Sequence, residues 1–395
     1  MFVNQGLPST SFNVWQPYLQ KLPSVGDAGV TVVLTTRTLV SFLSIFLVTK
    51  YYQVLDLRIG VALATVLTIG GFLAFGLADG NMILLITGSV LAGVGYGLGG
   101  SVATTAIIGK WFAGDVGTAA GIAGVGSGTT GMLIPLIVSQ IEHRFSLSAA
   151  FFSVAALALV FGTLTFLFVR SQPSDMGLQP FAAQPKKKRT GKLTTMEAHA
   201  QAAEAPCPIS KTSRVLILIA MALLGANAIA ANSYFSLTLS TSGIDIMTAA
   251  ALTSLMGASL TAGKFISGKL FDIIGTYASS ILFFALLILG CSLLAFVSGG
   301  GMPCAVLGAI GFGAGCALST TGLSVWSIEV SEPGGKLKAA RNFMIAYSFG
   351  GFAFNMLPGF MKGITGTYES AFIVFAICSV ACAALVLYVL KTRRP

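Results

Sequence analysis

The chain has 395 residues, of which 55% are hydrophobic and only 9% are charged, and its formal net charge is +10. Apolar stretches of about twenty residues recur from end to end, and each can cross a hydrocarbon core of roughly 30 Å as a helix. A large soluble protein would need a polar shell that this composition does not supply. The chain is therefore predicted to be an all-α polytopic membrane protein.

The first predicted element, residues 2–19, is short and polar for a membrane helix. It has no charged leader and no small-residue cleavage site, so it is not predicted to be a secretory signal. We expect it to be the outer half of a first helix whose beginning lies upstream of Met1. Eleven full spans are predicted after it, at about 29–49, 59–78, 82–109, 116–140, 146–169, 214–240, 246–270, 277–298, 302–328, 340–361 and 370–390.

The basic residues fall mainly on one side when successive loops are assigned to alternate sides of the membrane. That side has eighteen Lys and Arg residues, whereas the other side has only Lys21, Arg144 and Lys362. The asymmetry predicts that both termini are cytoplasmic in a multi-pass protein of the plasma (inner) membrane. Because topology accounts for the charge, no nucleic acid is expected as a partner. The expected surroundings are the lipid bilayer, and we expect a monomer.

A polar segment at 171–213 divides the chain almost midway. Its Pro, Ala, Gln and Lys content cannot build a core, so it is predicted to be a cytoplasmic linker between an N-terminal half, 1–170, and a C-terminal half, 214–395. AGVGYGLGGSVATTAI at 92–107 matches GAIGFGAGCALSTTGL at 308–323 with an offset of 216. Two six-helix halves of one topology predict a substrate path between them, near the middle of the membrane.

Two ionisable side chains lie well inside predicted spans, Arg37 and Lys264, whereas all carboxylates and both histidines fall in loops or at helix ends. A charge at the bilayer centre costs on the order of 3 kcal/mol or more, so such residues generally face a cavity. Two buried cations without a buried carboxylate predict a small organic anion as substrate, held by charge-assisted hydrogen bonds. The alternatives are an arginine satisfied by helix-end carbonyls and a lysine that snorkels to the interface.

Four polar residues in two other helices are further candidates for lining the cavity. Asn227 and Tyr234 lie on one face of the seventh helix, and Tyr347 and Asn355 lie in the eleventh. Hydrogen bonding between helices is the alternative role. No metal cluster, nucleophile with a base or pair of carboxylates falls within a span, and the six cysteines have no metal or disulfide spacing, so neither a cofactor nor an enzymatic activity is expected.

The segment GKLFDIIG at 268–275 resembles the Gly-x-x-x-Asp-x-x-Gly loop of the major facilitator superfamily, which recurs after the second and eighth helices. DLRIG at 56–60 resembles its first-half copy in degraded form. The resemblance covers essentially the whole chain and implies a major facilitator fold of two pseudo-symmetric six-helix halves, with a short first helix. It also implies a cytoplasmic gate that contains Asp56, Arg58, Gly268, Asp272 and Gly275.

Within that superfamily, KWFAGDVGTAAGIAGVGSGTTGMLIP and RSQPSDMGLQP resemble segments of the oxalate:formate antiporter and monocarboxylate carrier group. The resemblance implies that Lys264 takes the place of an arginine that binds the substrate carboxylate. Two positions depart from the group. Gly350 stands where the oxalate antiporter has a second cation, and Leu260 stands where the monocarboxylate carriers have an acidic residue.

These observations predict a secondary transporter that moves a mono- or dicarboxylate by alternating access, through exchange or symport. The same-class alternative is an exporter of drugs or other lipophilic solutes. The alternative from a different class is a membrane receptor or scaffold that does not transport.

Overall fold

The computed structural model describes residues 1–112, 116–179, 181, 210–330 and 336–392. The described residues form helices joined by short turns, and an isolated bridge between Phe112 and Phe181 is their only β-type pairing. Only the two ends of the predicted linker belong to the described part. The predicted all-α polytopic fold is confirmed.

The N-terminal half begins with an irregular first segment, 2–20. It contains a π-helical turn at Phe2–Thr10, a 3-10 turn at Phe12–Trp15 and a short helix, α1, at Gln16–Gln20. Six helices follow: α2 (Gly26–Val54), α3 (Leu57–Leu77), α4 (Met82–Gly99), α5 (Ser101–Trp111), α6 (Val116–Arg144) and α7 (Leu147–Phe168).

The C-terminal half has a similar order of elements. Its first long helix contains a π-helical turn at Ala226–Ala231 between α8 and α9. The helices are α8 (Lys211–Gly225), α9 (Asn232–Thr241), α10 (Ile246–Ile273), α11 (Thr276–Leu294), α12 (Val297–Gly315), α13 (Thr321–Glu329), α14 (Lys336–Ala353), α15 (Leu357–Thr365) and α16 (Glu369–Thr392).

Within the described residues, ten helices are long and apolar enough to cross a membrane. The predicted span at 340–361 is not one continuous helix, because α14 ends at Ala353 and α15 begins at Leu357. Pro358 lies in the first turn of α15. A proline has no N–H to continue the helical ladder and its ring crowds the carbonyl group four residues earlier, which explains why the first helix ends and a new one begins just before Pro358.

One hydrophobic core lies within the C-terminal half, and a second lies mainly in the N-terminal half but also includes side chains of the C-terminal half such as Tyr234. In the N-terminal half, Trp15 stacks on Phe151 with ring centroids 3.9 Å apart, so the irregular first segment is anchored by packing. In the C-terminal half, Phe312 stacks on Phe235 at 6.0 Å. The halves therefore share apolar packing where they meet.

The sequence repeat corresponds to a repeat in packing. A Cβ atom on Gly97 of α4 would lie 2.8 Å from the carbonyl oxygen of Ser41 in α2, and one on Gly313 of α12 would overlap the carbonyl oxygen of Met256 in α10. Both helices then break at equivalent points, α4 at Gly100 and α12 where a 3-10 turn begins at Cys316. Glycine at these positions therefore permits the same close helix contact twice.

The halves meet at one end of the bundle, termed the Asp27 end, where α2 begins and α15 ends. Lys362 forms an ion pair with Asp27 at 2.7 Å, and the Tyr368 hydroxyl donates to the same carboxylate at 2.8 Å. The Tyr234 hydroxyl donates to Thr31 Oγ1 at 3.2 Å. The structure is closed at this end.

The opposite end, termed the linker end, carries the residues that flank the predicted linker. The contacts nearest to it that join the halves are a hydrogen bond from Lys264 to Ser127 and a ring contact between Phe42 and Phe349, with centroids 6.0 Å apart. Between the described side chains, no hydrogen bond, ion pair or ring contact joins the halves farther toward the linker end.

Candidate functional site

Arg37 lies at the boundary between the two halves. It is on α2, and only 2% of its surface is exposed. Its Nη1 donates to the Pro8 carbonyl oxygen in the first segment, and its Nη2 is 3.5 Å from Ser233 Oγ in the C-terminal half. The guanidinium carbon also lies 4.9 Å from the centroid of the Phe12 ring. The side chain is thus held by one neutral carbonyl, one neutral hydroxyl and one aromatic face.

No described carboxylate neutralises Arg37, since the ion pair found in the described part of the chain is the one between Lys362 and Asp27. Arg37 Nε has no hydrogen-bond partner at all. A buried cation without a counter-charge is strongly unfavourable, because neutral dipoles replace only part of its hydration. The geometry therefore favours an anionic ligand for this side chain.

A small cavity of about 10 Å³ opens beside the guanidinium group. This volume is close to that of one water-sized probe, so the site must widen before it can admit a substrate. Both halves contribute to its wall. The lining residues are Ser9, Arg37, Thr38, Ser41, Phe42, Ile45, Tyr96, Ile229 and Ser348.

Lys264 joins the halves at a second place. It is 8% exposed, and its Nζ donates to Ser127 Oγ of α6 at 3.2 Å. Ser127 Oγ in turn donates its proton to the Gly124 carbonyl oxygen at 2.8 Å, so its lone pairs face the lysine. Small residues bring α6 and α10 together here, since Gly131 packs directly against Gly257.

The four other predicted lining residues lie in different places. Tyr347 lies on α14 of the C-terminal half, and 8% of its surface is exposed. Asn355 Nδ2 is 3.4 Å from Thr35 Oγ1 of α2, and its Oδ1 has no partner. Tyr234 belongs to the contacts of the Asp27 end.

Asn227 points away from the Arg37 cavity and into the C-terminal half. It occupies the π-helical turn, where its Oδ1 accepts hydrogen bonds from Ser379 at 3.1 Å and Cys291 at 3.4 Å. Its Nδ2 donates to the Leu223 carbonyl oxygen at 3.1 Å. These contacts correspond to the alternative role of interhelical hydrogen bonding.

The predicted gate residues of the first loop make their contacts within the N-terminal half. Asp56 caps α3 by accepting from the Arg58 backbone N–H at 3.1 Å, and it also accepts from the Ser171 hydroxyl. Arg58 Nε donates to the Phe166 carbonyl oxygen at 2.8 Å. The Ser171 and backbone hydrogen bonds lower the pKa of the Asp56 carboxyl, so its capping contribution persists at neutral pH and is lost as the pH falls through that lowered pKa.

The second gate loop is only partly described, because the side chain of Asp272 lies outside the described residues. Gly275 has φ of 83°, a dihedral that disfavours other residues, and it precedes α11 directly. A Cβ atom on Gly268 would meet no atom within 4 Å. Gly275 is therefore required by the turn, whereas Gly268 is not required by packing in this conformation.

Three residues around Arg37 were not predicted from the sequence, namely Ser9, Tyr96 and Ser233. Ser9 and Tyr96 line the same cavity as Arg37, and Ser233 contacts its guanidinium group. A signal for Tyr96 exists in the sequence, since it is the only large polar side chain in the glycine-rich run at 92–100. Serines in a membrane helix are too common to be singled out in this way.

Comparisons with known proteins agree with this architecture. The family model described as Major Facilitator Superfamily matches residues 2–344. A search of curated protein sequences found no match.

Solved structures with the same fold include three kinds of transporter. A D-xylose-proton symporter is similar with a TM-score of 0.73 and 14% identity, covering 97% of this chain and 93% of that one. A mutant of the peptide transporter POT in complex with sulfate gives 0.69 and 16%, covering 99% and 92%. The nucleoside transporter NupG gives 0.65 and 16%, covering 98% and 97%. At such identities the likeness establishes the fold and leaves the substrate open.

Proposed function

Since the chain belongs to the Major Facilitator Superfamily, we propose that it is a secondary transporter that moves a small organic anion, a mono- or dicarboxylate, by alternating access. One observation carries the proposal. Arg37 is buried between the halves with no described carboxylate beside it and with an unpaired Nε.

Substrate binding would exchange weak contacts of Arg37 for strong ones. In the present structure its nitrogens contact the Pro8 carbonyl oxygen and Ser233 Oγ, which are both neutral. A carboxylate can accept two N–H groups of one guanidinium in parallel, and such charge-assisted bonds are about twice as strong as neutral ones. Neutral solutes cannot offset the buried charge in this way, so the site favours an anion.

Lys264 would supply the second positive charge from the other half. Its ammonium group has one described hydrogen bond, to Ser127, and can donate two more. Because Ser127 belongs to the N-terminal half, an anion that draws Lys264 away would also weaken a contact between the halves. Substrate binding and rearrangement of the halves would thereby be coupled.

Alternating access would require the closed Asp27 end to open. If the basic linker end is cytoplasmic, as the charge asymmetry predicts, the structure represents a state closed to the outside. No Asp, Glu or His lies in the middle of a span, so exchange of one anion for another suits the chain best. Symport remains compatible when the substrate itself carries the proton.

Counterflow in proteoliposomes tests the proposal directly. The panel is formate, oxalate, lactate, pyruvate and succinate, and the proteins are wild type, Arg37→Gln, Lys264→Gln and the exposed control Arg144→Gln. Each Gln substitution in the site removes charge-assisted hydrogen bonds, so uptake at low substrate concentration should fall by about tenfold to a hundredfold. The control should transport like the wild type.

Two results would contradict the proposal. Failure of the wild type to exchange any anion of the panel would remove the substrate class. Transport that survives neutralisation of both Arg37 and Lys264 would instead favour the exporter of lipophilic solutes.

A further inference from the structure

Tyr96 is the only aromatic residue in the glycine-rich part of α4, and its backbone is held rigidly. A Cβ atom on Gly93 would lie 2.7 Å from the Arg37 carbonyl oxygen, and one on Gly95 would lie 2.8 Å from the Ala64 carbonyl oxygen. At these glycines the backbone of α4 therefore packs directly against the backbones of α2 and α3. A side chain on such a rigid backbone has a well-defined position.

The side chain of Tyr96 faces the cavity beside Arg37. It is partly exposed, although Gly95 and Gly97 on either side of it are buried, and it lines the cavity together with Arg37. Ser9 lines the same cavity. A phenol group can donate one hydrogen bond and accept others, so the Tyr96 hydroxyl can donate to a ligand there.

The equivalent residue of the C-terminal half has no hydroxyl group and is enclosed by other side chains. By the offset of 216, Phe312 corresponds to Tyr96. Phe312 is fully buried, and its ring packs between Phe235 at 6.0 Å and Phe372 at 6.1 Å. An aromatic ring between glycines therefore belongs to the shared scaffold, whereas the hydroxyl occurs only in the half that carries Arg37.

We propose that Tyr96 is a specificity-determining residue of the transport site, whose hydroxyl donates a hydrogen bond to the same carboxylate that Arg37 binds. The proposal rests on the proposed function. The Tyr96 hydroxyl would be a third donor to the carboxylate, in addition to two N–H groups of the Arg37 guanidinium. A site with several fixed donors selects against neutral analogues, because an amide or an ester leaves buried donors unpaired.

The Tyr96→Phe variant tests the proposal, because it keeps the ring and removes only the hydroxyl. The KM for the best carboxylate of the panel should rise by about tenfold to a hundredfold, while the maximal rate stays within about threefold of wild type. The ratio between the inhibition constant of the neutral amide and the KM of the carboxylate should fall, because the donor that the amide leaves unpaired is gone. Tyr96→His, which restores an N–H donor, should recover part of the affinity.

Two tyrosines serve as matched controls. The Tyr52 hydroxyl is also partly buried, but it donates to the Leu98 carbonyl oxygen at 2.8 Å, away from the cavity. Tyr52→Phe should lower the amount or the thermal stability of the folded protein and leave the KM unchanged. Tyr388 is 56% exposed, and Tyr388→Phe should leave both unchanged.

The outcomes separate this proposal from the proposed function. If the wild type exchanges carboxylates and Arg37→Gln is impaired, an unchanged KM in Tyr96→Phe overturns the role of Tyr96 alone. A loss of folded protein with an unchanged KM assigns Tyr96 a structural role and also overturns it. If the wild type exchanges no carboxylate, both proposals fall together. If Tyr96→Phe does not fold, the KM of Tyr96→His decides: a value equal to wild type or only moderately raised supports the donor, and one raised a hundredfold contradicts it.

Discussion

Arg37 and Lys264 are held by different chemistry, although each is a buried cation between the halves. Arg37 uses two nitrogens and an aromatic face, through Pro8, Ser233 and Phe12. Lys264 uses one described hydrogen bond, to Ser127. A guanidinium group cannot be replaced by an ammonium group where the ligand accepts two parallel N–H groups. The two groups can be interchanged where the ligand needs only a single positive charge.

Arg37→Lys and Lys264→Arg form a matched pair of charge-conserving substitutions. Arg37→Lys should raise the KM for the substrate anion by about tenfold, because the loss of the fork removes one charge-assisted hydrogen bond. Lys264→Arg should transport within about threefold of wild type. Counterflow kinetics on both variants give the comparison, and equal KM values for the two would show that Arg37 acts as a point charge as well.

The sequence identifies these two cations because a charge in an apolar span is costly and therefore conspicuous. The partners of Arg37 could not be identified in the same way. Ser233 lies 196 positions away along the chain, and a serine costs little in a helix whether or not it faces a cavity. Tyr96 was missed because the glycine-rich run around it was considered only as part of a sequence repeat, whereas its glycines also pack closely against α2 and α3.

At the scale of elements, hydropathy predicts where helices lie but not where their hydrogen-bond register changes. The interruption after Ala353 had a visible cause in Pro358. The π-helical turn at Ala226–Ala231 contains neither glycine nor proline, so its cause lies in tertiary contacts such as those of Asn227. π-Helical turns often occur at functional sites, and the first segment contains one too, next to Arg37.

The contacts of the Asp27 end form a latch between α2 and the elements around α15. Lys362 is paired with Asp27 at 2.7 Å, with side chains 22% and 46% exposed, respectively. The Lys362 ammonium group also lies 4.6 Å from the centroid of the Tyr368 ring. An ion pair this exposed is worth about 0.2–1 kcal/mol, which suits a contact that would have to break in the proposed alternating-access cycle.

Weakening this latch should make the Asp27 end open more often. Asp27→Asn and Lys362→Met should each raise the labelling rate of a Thr31→Cys variant by an impermeant thiol reagent, by about twofold to fivefold. The double variant should add little to either single one, because both remove the same pair. Additive effects would show that the two residues act independently, and unchanged labelling would exclude a latch.

At the scale of the whole molecule, the contacts are distributed unequally between the two ends. The Asp27 end has an ion pair and several hydrogen bonds across the halves. Among the hydrogen bonds, ion pairs and ring contacts between described side chains of the two halves, those of Lys264 with Ser127 and of Phe42 with Phe349 lie nearest to the linker end. The sequence repeat predicts two halves of equal topology, but it cannot predict which end is closed, because both states use the same chain and differ only in contacts between the halves.

A disulfide across the Asp27 end should therefore stop transport, whereas one within a half should not. A Cβ atom on Gly359 would lie 3.5 Å from Thr31 Cβ in the other half, and one on Gly162 would lie 3.8 Å from Thr65 Cβ in the same half. Both separations suit a disulfide.

Oxidation of Thr31→Cys with Gly359→Cys should abolish counterflow, and a reductant should restore it, because the closed end can no longer open. Oxidation of Thr65→Cys with Gly162→Cys should leave transport largely intact, because this disulfide joins residues of the same half. Counterflow that continues with the first disulfide fully formed would mean that the Asp27 end does not open during transport.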